Sequence, residues 1–363
     1  MNTQISVSVE NLAPESGTFQ SPTWAGFHNG DFDTFTLGES VTDGLEQLAE
    51  DGDTSGLSGE FNAGDFGTDT TVGEADFGPG EIVRQTLTVD PSQPYFSHAS
   101  MVLPTNDTFI ASSSPIRVFD EQGNFIGTEV TVDGTRALDA GTEVNDEVPE
   151  NTALFGQEIP DTGVDENGVV SPATGFNPVG SGGVLDDPLF ANADYTQPDY
   201  QFARIRVANL VEGTDRRDYL LGTSAPDDIF AGNGNDVISG KGGNDRIYAG
   251  AGRDFISVGS GDDFIEAGSG DDLIFTGGGN NTIDAGEGRD RIIAGSGTDT
   301  FILNAGSDLD ISNYDTNDRI NLGTSLDNNK LDVSINDSDT VISNGDDVLA
   351  TLREVQVSDI EFV

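Results

Sequence analysis

The chain of 363 residues carries 65 aspartates and glutamates against 15 lysines and arginines, a formal charge of −50. That balance excludes nucleic acid and anionic membrane as partners, because both would repel it. With no cysteine there are neither disulfide staples nor thiolate metal sites, and no apolar stretch approaches the roughly 20 residues of a membrane helix.

The opening segment, MNTQISVSVENLAP, has no basic start, apolar core or cleavage pattern, so it does not read as a Sec-type signal. Residues 4 to about 208 are expected to be mostly β, with Ile5, Val7 and Val9 alternating, as do Leu87 and Val89, Ile116 and Val118, and Ala203, Ile205 and Val207. One helix is predicted from Ser40, with Asp43 as a partial capping box, Val41, Leu45, Leu48 and Ala49 on one face, and Gly52 as its stop. The stretches 50–80 and 156–200 read as long loops rich in Gly, Asp and Pro, which either bind something or are ordered by ions. Trp24, the sole tryptophan, and the two histidines, His28 and His98, are expected in packing or surface roles.

Three segments of this half, SPTWAGFHNGDFDTF (21–35), MVLPTNDTFI (101–110) and LDAGTEVNDE (138–147), resemble the spondin N-terminal domain. The resemblance implies a C2-like β-sandwich over residues 1–210, a part in binding matrix or cell-surface molecules, and one calcium ion held by loop carboxylates. Two of those carboxylates match Asp107 and Asp139. The third, a glutamate in the family, has no clear counterpart; Asp90 is nearest and Glu81 the alternative. The alternative reading of Asp107 and Asp139 is that of ordinary turn acids. The chain also departs from the animal relatives in having no cysteine.

After an expected linker at 211–221, the chain repeats every nine residues from Gly222 to Ile302, nine times, as G-G-x-G-x-D-x-(aliphatic)-x. The sixth position holds Asp227, Asp236, Asp245, Asp254, Asp263, Asp272, Asn281, Asp290 and Asp299; the eighth holds eight isoleucines from Ile229 to Ile292, then Phe301. Each nonamer is predicted to be a six-residue turn and a three-residue strand whose eighth residue points inward, two nonamers making one coil. Glycines at the second position (Gly232, Gly250, Gly259, Gly268 and Gly286 among them) and the fourth (Gly234, Gly252, Gly261, Gly270, Gly288) suit tight turns. Turns two nonamers apart then bring their aspartates together, and hard oxygen ligands suit Ca²⁺. Close carboxylates repel, so folding of the repeat is expected to depend on that ion.

This pattern resembles the RTX family of secreted bacterial proteins. The resemblance implies a right-handed parallel β-roll in which one turn gives the carbonyls of positions two and four with its Asp, and the turn two nonamers later gives the carbonyls of positions one and three with its own. Asp236 then pairs with Asp254, Asp254 with Asp272 and Asp272 with Asp290; Asp245 pairs with Asp263 on the other edge. The first turn, GTSAPD, lacks the second and fourth glycines, which casts doubt on a site shared by Asp227 and Asp245, and Asn281 is expected to weaken the two sites it shares with Asp263 and Asp299. Lys241 replaces a glycine whose role is its carbonyl, so that site is expected to survive.

Residues 303–363 are predicted to be a β cap closing the roll, with Phe301, Leu303, Ile311, Tyr314, Ile320 and Leu322 as apolar contacts and a hairpin turn at Asn344-Gly345. Asp308, Asp310, Asp315 and Asp318 are further calcium ligands or solvated loop acids. The ending Asp359-Ile360-Glu361-Phe362-Val363 looks like the uncleaved address of a type I exporter, or a last strand. No HExxH or GxSxG motif occurs, and no Ser/His/Asp arrangement is visible. The expectation is therefore an all-β, non-enzymatic, secreted calcium-binding protein at the cell surface or outside it, whose N-terminal half binds an extracellular glycan, matrix or cell-surface protein. A carbohydrate-active hydrolase in that half, or a self-assembling surface coat, are the alternatives.

Overall fold

The computed structural model describes residues 2–143, 147, 168–181, 183–323, 326, 327, 330–356, 360 and 362. The chain divides into two compact units, Met1–Val207 and Ala208–Val363, and is nearly all β.

In the first unit Thr3–Asn11 pairs antiparallel with Ile82–Val89, and Gln201–Glu212 pairs over its first residues with Thr128–Asp133. A second sheet runs in the order Ser171–Pro172, Leu138–Asp139, Thr108–Ala111, Tyr95–Leu103, Thr23–His28, Gly67–Val72. The two sheets share one core: Ile5, Val7, Val9 and Ile205 from one side meet Ala25, Phe27, Phe96 and Ile110 from the other. Alternation sends the intervening residues of the second sheet, Trp24, Ala99 and Phe109, to its opposite face, where they pack with Leu45, Leu48 and Phe61 of two helices. That double burial explains why every residue of Thr23–His28 is buried, as are Ser97 and Ser100 of the neighbouring strand Tyr95–Leu103.

The first helix, α1 (Asp43–Asp51), starts at a Thr42 cap rather than at Ser40, and ends at Gly52, whose φ of 70° is left-handed. A second helix, α2 (Ser55–Ala63), lies within the stretch expected to be loop. Its three-glycine neighbourhood is poor in helix propensity. Packing overrides that, since a Cβ on Gly44 would meet the Gly56 backbone at 2.6 Å, and Glu60 accepts from the Gly44 amide and the Thr42 hydroxyl, both at 2.7 Å. Trp24, His28 and His98 are all buried. Of the other expected loop, 156–167 and 182 lie outside the described residues.

The second unit is a β-solenoid of two parallel sheets, about six turns long across 209–322. On one sheet Val211, Ile229, Ile247, Ile265, Ile283, Phe301 and Ile320 stand in register; on the other, Leu220, Ile238, Ile256, Ile274, Ile292 and Ile311. The eighth-position isoleucines are fully buried, at roughly 1.5 to 3 kcal/mol each. Residues 211–221 correct the expected linker: Tyr219–Leu221 is a strand on Val237–Ser239, and GTDRRDYLL (213–221) is an additional, degenerate nonamer with Asp218 sixth and Leu220 eighth. At the far end the roll runs past Ile302. One extra residue intervenes there, so that Ile292 meets Ile311 and Phe301 meets Ile320.

Closure comes from Asp347–Leu352, parallel to Ser307–Ser312, and from the antiparallel strands Asp339–Asn344 and Leu331–Asn336 that follow it outward. Gly345, with φ 64°, makes the expected turn between the first two of these. Phe362 forms one parallel bridge with Ile320, while Asp359, Glu361 and Val363 lie outside the described residues.

Candidate metal centre

The turns of successive coils stack along two edges of the roll. They stack closely enough that a Cβ on Gly252 would lie 1.4 Å from the Gly234 carbonyl oxygen, and one on Gly270 1.5 Å from that of Gly252. Gly232, Gly234, Gly250, Gly252, Gly259, Gly261, Gly268, Gly270, Gly286 and Gly288 all have positive φ. The carbonyls of Gly232, Gly250, Gly259 and Gly268 each accept one amide from the next coil, at 2.8 to 3.1 Å, which leaves a second lone pair on each oxygen.

This stacking brings the sixth-position side chains into two files. Along one edge the amide of Asp218 donates to Oδ1 of Asp236 at 2.8 Å, Asp236 to Asp254 and Asp254 to Asp272 at 2.7 Å, and Asp272 to Asp290 at 2.9 Å. Along the other, Asp227 donates to Asp245 at 3.0 Å, Asp245 to Asp263 at 2.7 Å, Asp263 to Asn281 at 3.0 Å, Asn281 to Asp299 at 3.1 Å and Asp299 to Asp318 at 2.9 Å. The first file stops at Asp290, because Leu309 is next in register.

In every rung one oxygen is used by this ladder and the question is what meets the other. On Asp236, Asp254, Asp272 and Asp290, Oδ2 is buried with no hydrogen-bond partner. A half-satisfied buried carboxylate is costly in its ionised form. Accordingly burial pushes Asp272 up to about 7 and Asp290 up to about 6, with neighbouring acids adding to both, and burial raises Asp254 as well. Among the described residues no three His, Cys, Asp or Glu side chains gather to hold a metal. The files instead offer carboxylates in consecutive pairs beside backbone carbonyls, an all-oxygen donor set that suits Ca²⁺ and not a thiophilic or imidazole-seeking metal.

The ends of the files differ. Oδ2 of Asp218 accepts from the amide and hydroxyl of Thr214 at 2.7 and 2.8 Å, and Oδ2 of Asp227 accepts from the Thr223 amide at 2.6 Å. Oδ2 of Asp318 accepts from the Asp315 amide at 2.8 Å. Lys241 reaches the Gly222 carbonyl with Nζ at 2.6 Å. A second ladder was not anticipated from sequence: fifth-position Asn235, Asn244, Asp262, Asp271 and Asn280 accept the fifth-position amide of the coil above, at 2.7 to 3.2 Å. The enrichment of Asn and Asp at that position was its visible trace.

In the first unit Asp107 immediately precedes the strand Thr108–Ala111, and Asp139, on the adjacent strand, stands opposite Thr108. Oδ2 of Asp107 accepts the amides of Thr142 and Glu143 at 3.3 Å, and Oδ1 of Asp139 accepts the Gly141 amide at 2.7 Å. The alternatives for a third ligand serve their own turns: Asp90 accepts the Ser92 amide at 2.8 Å and Glu81 the Gly78 amide at 2.5 Å. His28 and Ser97 do meet, at 3.1 Å. The Gly30 amide donates to Nδ1 of that ring, which places the proton on Nε2 facing the serine, so the pair lacks a base for Ser97.

No curated protein matches the chain. Residues 212–247, 239–274, 248–283 and 275–310 match the RTX calcium-binding nonapeptide repeat, a span that begins at the degenerate nonamer and ends beyond the regular repeat. The second unit therefore carries RTX calcium-binding repeats, folded as a β-solenoid.

Proposed function

We propose that the protein is a secreted, non-catalytic calcium-binding protein whose roll is completed by calcium after export and whose first unit, on its spondin resemblance, is an adhesion module for extracellular glycan, matrix or cell-surface protein. The observation that carries the calcium reading is the row of buried, half-satisfied carboxylates at Asp236, Asp254, Asp272 and Asp290. Calcium bound there would supply the positive charge that the row lacks, with Gly232, Gly234, Gly250, Gly252, Gly268, Gly270 and the neighbouring first- and third-position carbonyls as the remaining donors.

Export through a type I channel accords with this arrangement: scarce calcium leaves the repeat uncompacted during transit, and abundant calcium outside drives it to fold. The inability of His28 to serve Ser97 as base supports a non-catalytic role. Circular dichroism of the full chain during calcium titration and chelation tests the coupling, and an unchanged β signal together with no heat of calcium binding would reject it. A pull-down of surface glycans and matrix proteins on the immobilised chain tests adhesion; recovery of none of them, with hydrolysis of a glycan instead, would reject that part.

A further inference from the structure

Not every rung of the roll needs a cation. At Asn281 the side chain keeps the ladder bond through Oδ1, while Nδ2, which stands where the other rungs have a carboxylate oxygen, donates to Oδ1 of Asp299 at 2.8 Å and to the Thr276 carbonyl at 3.0 Å. The Thr276 hydroxyl then donates to Oδ2 of Asp299 at 2.8 Å and accepts the Gly295 amide at 2.8 Å. With the Asn281 amide as well, Asp299 accepts three hydrogen bonds within a site that is 1% exposed.

The same device recurs at the start of that edge. Asn209, in register with Asp227, donates through Nδ2 to Oδ1 of Asp227 at 2.6 Å, and Thr223 covers the other oxygen. Thus each asparagine is followed one coil later by an aspartate whose two oxygens are both hydrogen-bonded, and each is accompanied by a threonine.

We infer that the Asn281–Asp299 rung is a metal-independent joint, in which the Asn281 amide and the Thr276 hydroxyl replace the cation, so that the roll's two edges are unlike. This rests on the calcium reading above. The Asp236–Asp290 edge takes its cohesion from calcium, whereas the Asn281 edge is interrupted by a joint that calcium neither enters nor strengthens. An amide placed at the bridging point is more than a weak ligand, since its hydrogens point at the Asp299 carboxylate and the Thr276 carbonyl that a cation would need.

Counting bound calcium on the full-length chain by native mass spectrometry tests this. Asn281→Ala is expected to bind as many ions as the unsubstituted chain, and Asn281→Asp combined with Thr276→Ala to bind at least one more. Loss of an ion from Asn281→Ala, or no gain in the double variant with a preserved β spectrum, overturns the inference. Should Asn281→Ala not fold, Asn281→Ser carries the same expectation and the same refutation. A parent chain that binds no calcium removes the calcium reading itself, an outcome distinct from a parent that binds ions and a double variant that gains none.

Discussion

The main-chain amide of Asp272 donates to Oδ1 of Asp290 at 2.9 Å, while Oδ2 of both carboxylates is buried with no hydrogen-bond partner. Burial raises both groups from the ordinary 3.8, to about 7 and about 6. Without metal the folded roll therefore holds protons that the unfolded chain has released, and stability falls as pH rises from about 4 through those values. With calcium the sign reverses, because binding requires the ionised carboxylate. Thermal melts in metal-free buffer are expected to give a higher Tm near pH 5 than near pH 8, and melts in calcium the opposite order. Parallel curves in the two buffers would contradict the assignment.

Asp254 belongs to two consecutive pairs, with Asp236 and with Asp272, whereas Asp227 opens its file and has both oxygens bonded to Asn209 and Thr223. Each independent site contributes about 2.7 kcal/mol when free calcium stands 100-fold above its Kd. Asp254→Ala is expected to lose two ions and about 5 kcal/mol of calcium-dependent stability. Asp227→Ala should lose fewer. Titration calorimetry reads the stoichiometry, and equal losses from the two variants would show that the edge pairing is misassigned.

The roll was legible because its period is strict: Ile229 to Ile292 fall on one inward position, and the register observed is the one that spacing demands. Its ends were not, since GTDRRDYLL keeps only the first glycine of the motif, and one inserted residue shifts the phase before Ile311. Both fit the roll because inward burial of Leu220 and Ile311 tolerates what a motif does not. Similarly, Ser55–Ala63 has little helical signal of its own and is held by Leu57 and Phe61 against Trp24. The roles of Asn281 and Thr276 needed the third dimension, because the partner that joins them, Asp299, is a whole coil away.

Gly270 and Gly306 separate close stacking from backbone preference. Both have positive φ, at 139° and 91°, but a Cβ on Gly270 would overlap the Gly252 carbonyl and one on Gly306 would meet nothing within 4 Å. Gly306→Ala is expected to cost about 1 kcal/mol for the left-handed backbone alone. Gly270→Ala should cost more than about 3 kcal/mol, since two coils must part. Comparable denaturation midpoints for the two variants in calcium would mean that the turns are not in contact.

Arg353 fastens the cap by a fork. Its Nε and one terminal nitrogen meet the two oxygens of Asp310 at 2.7 Å each, the other terminal nitrogen meets Asp339 at 2.9 Å, and its own amide donates to the Ile311 carbonyl. The guanidinium holds the Asp310 carboxyl below the ordinary 3.8, and the Glu354 amide first and the guanidinium second do the same for Asp339, so this contribution is present at neutral pH and is lost as pH falls below about 4. The group is largely open to solvent, which keeps the contribution of the network small. Arg353→Lys cannot span the same three oxygens and is expected to lose nearly as much as Arg353→Ala. Calorimetric melts in calcium should show that loss at low salt and a smaller one at 1 M NaCl, about three times the screening of physiological buffer. If Arg353→Lys melted with the parent chain, charge alone rather than the forked geometry would be holding Asp310, and the cap would owe its attachment to the paired strands.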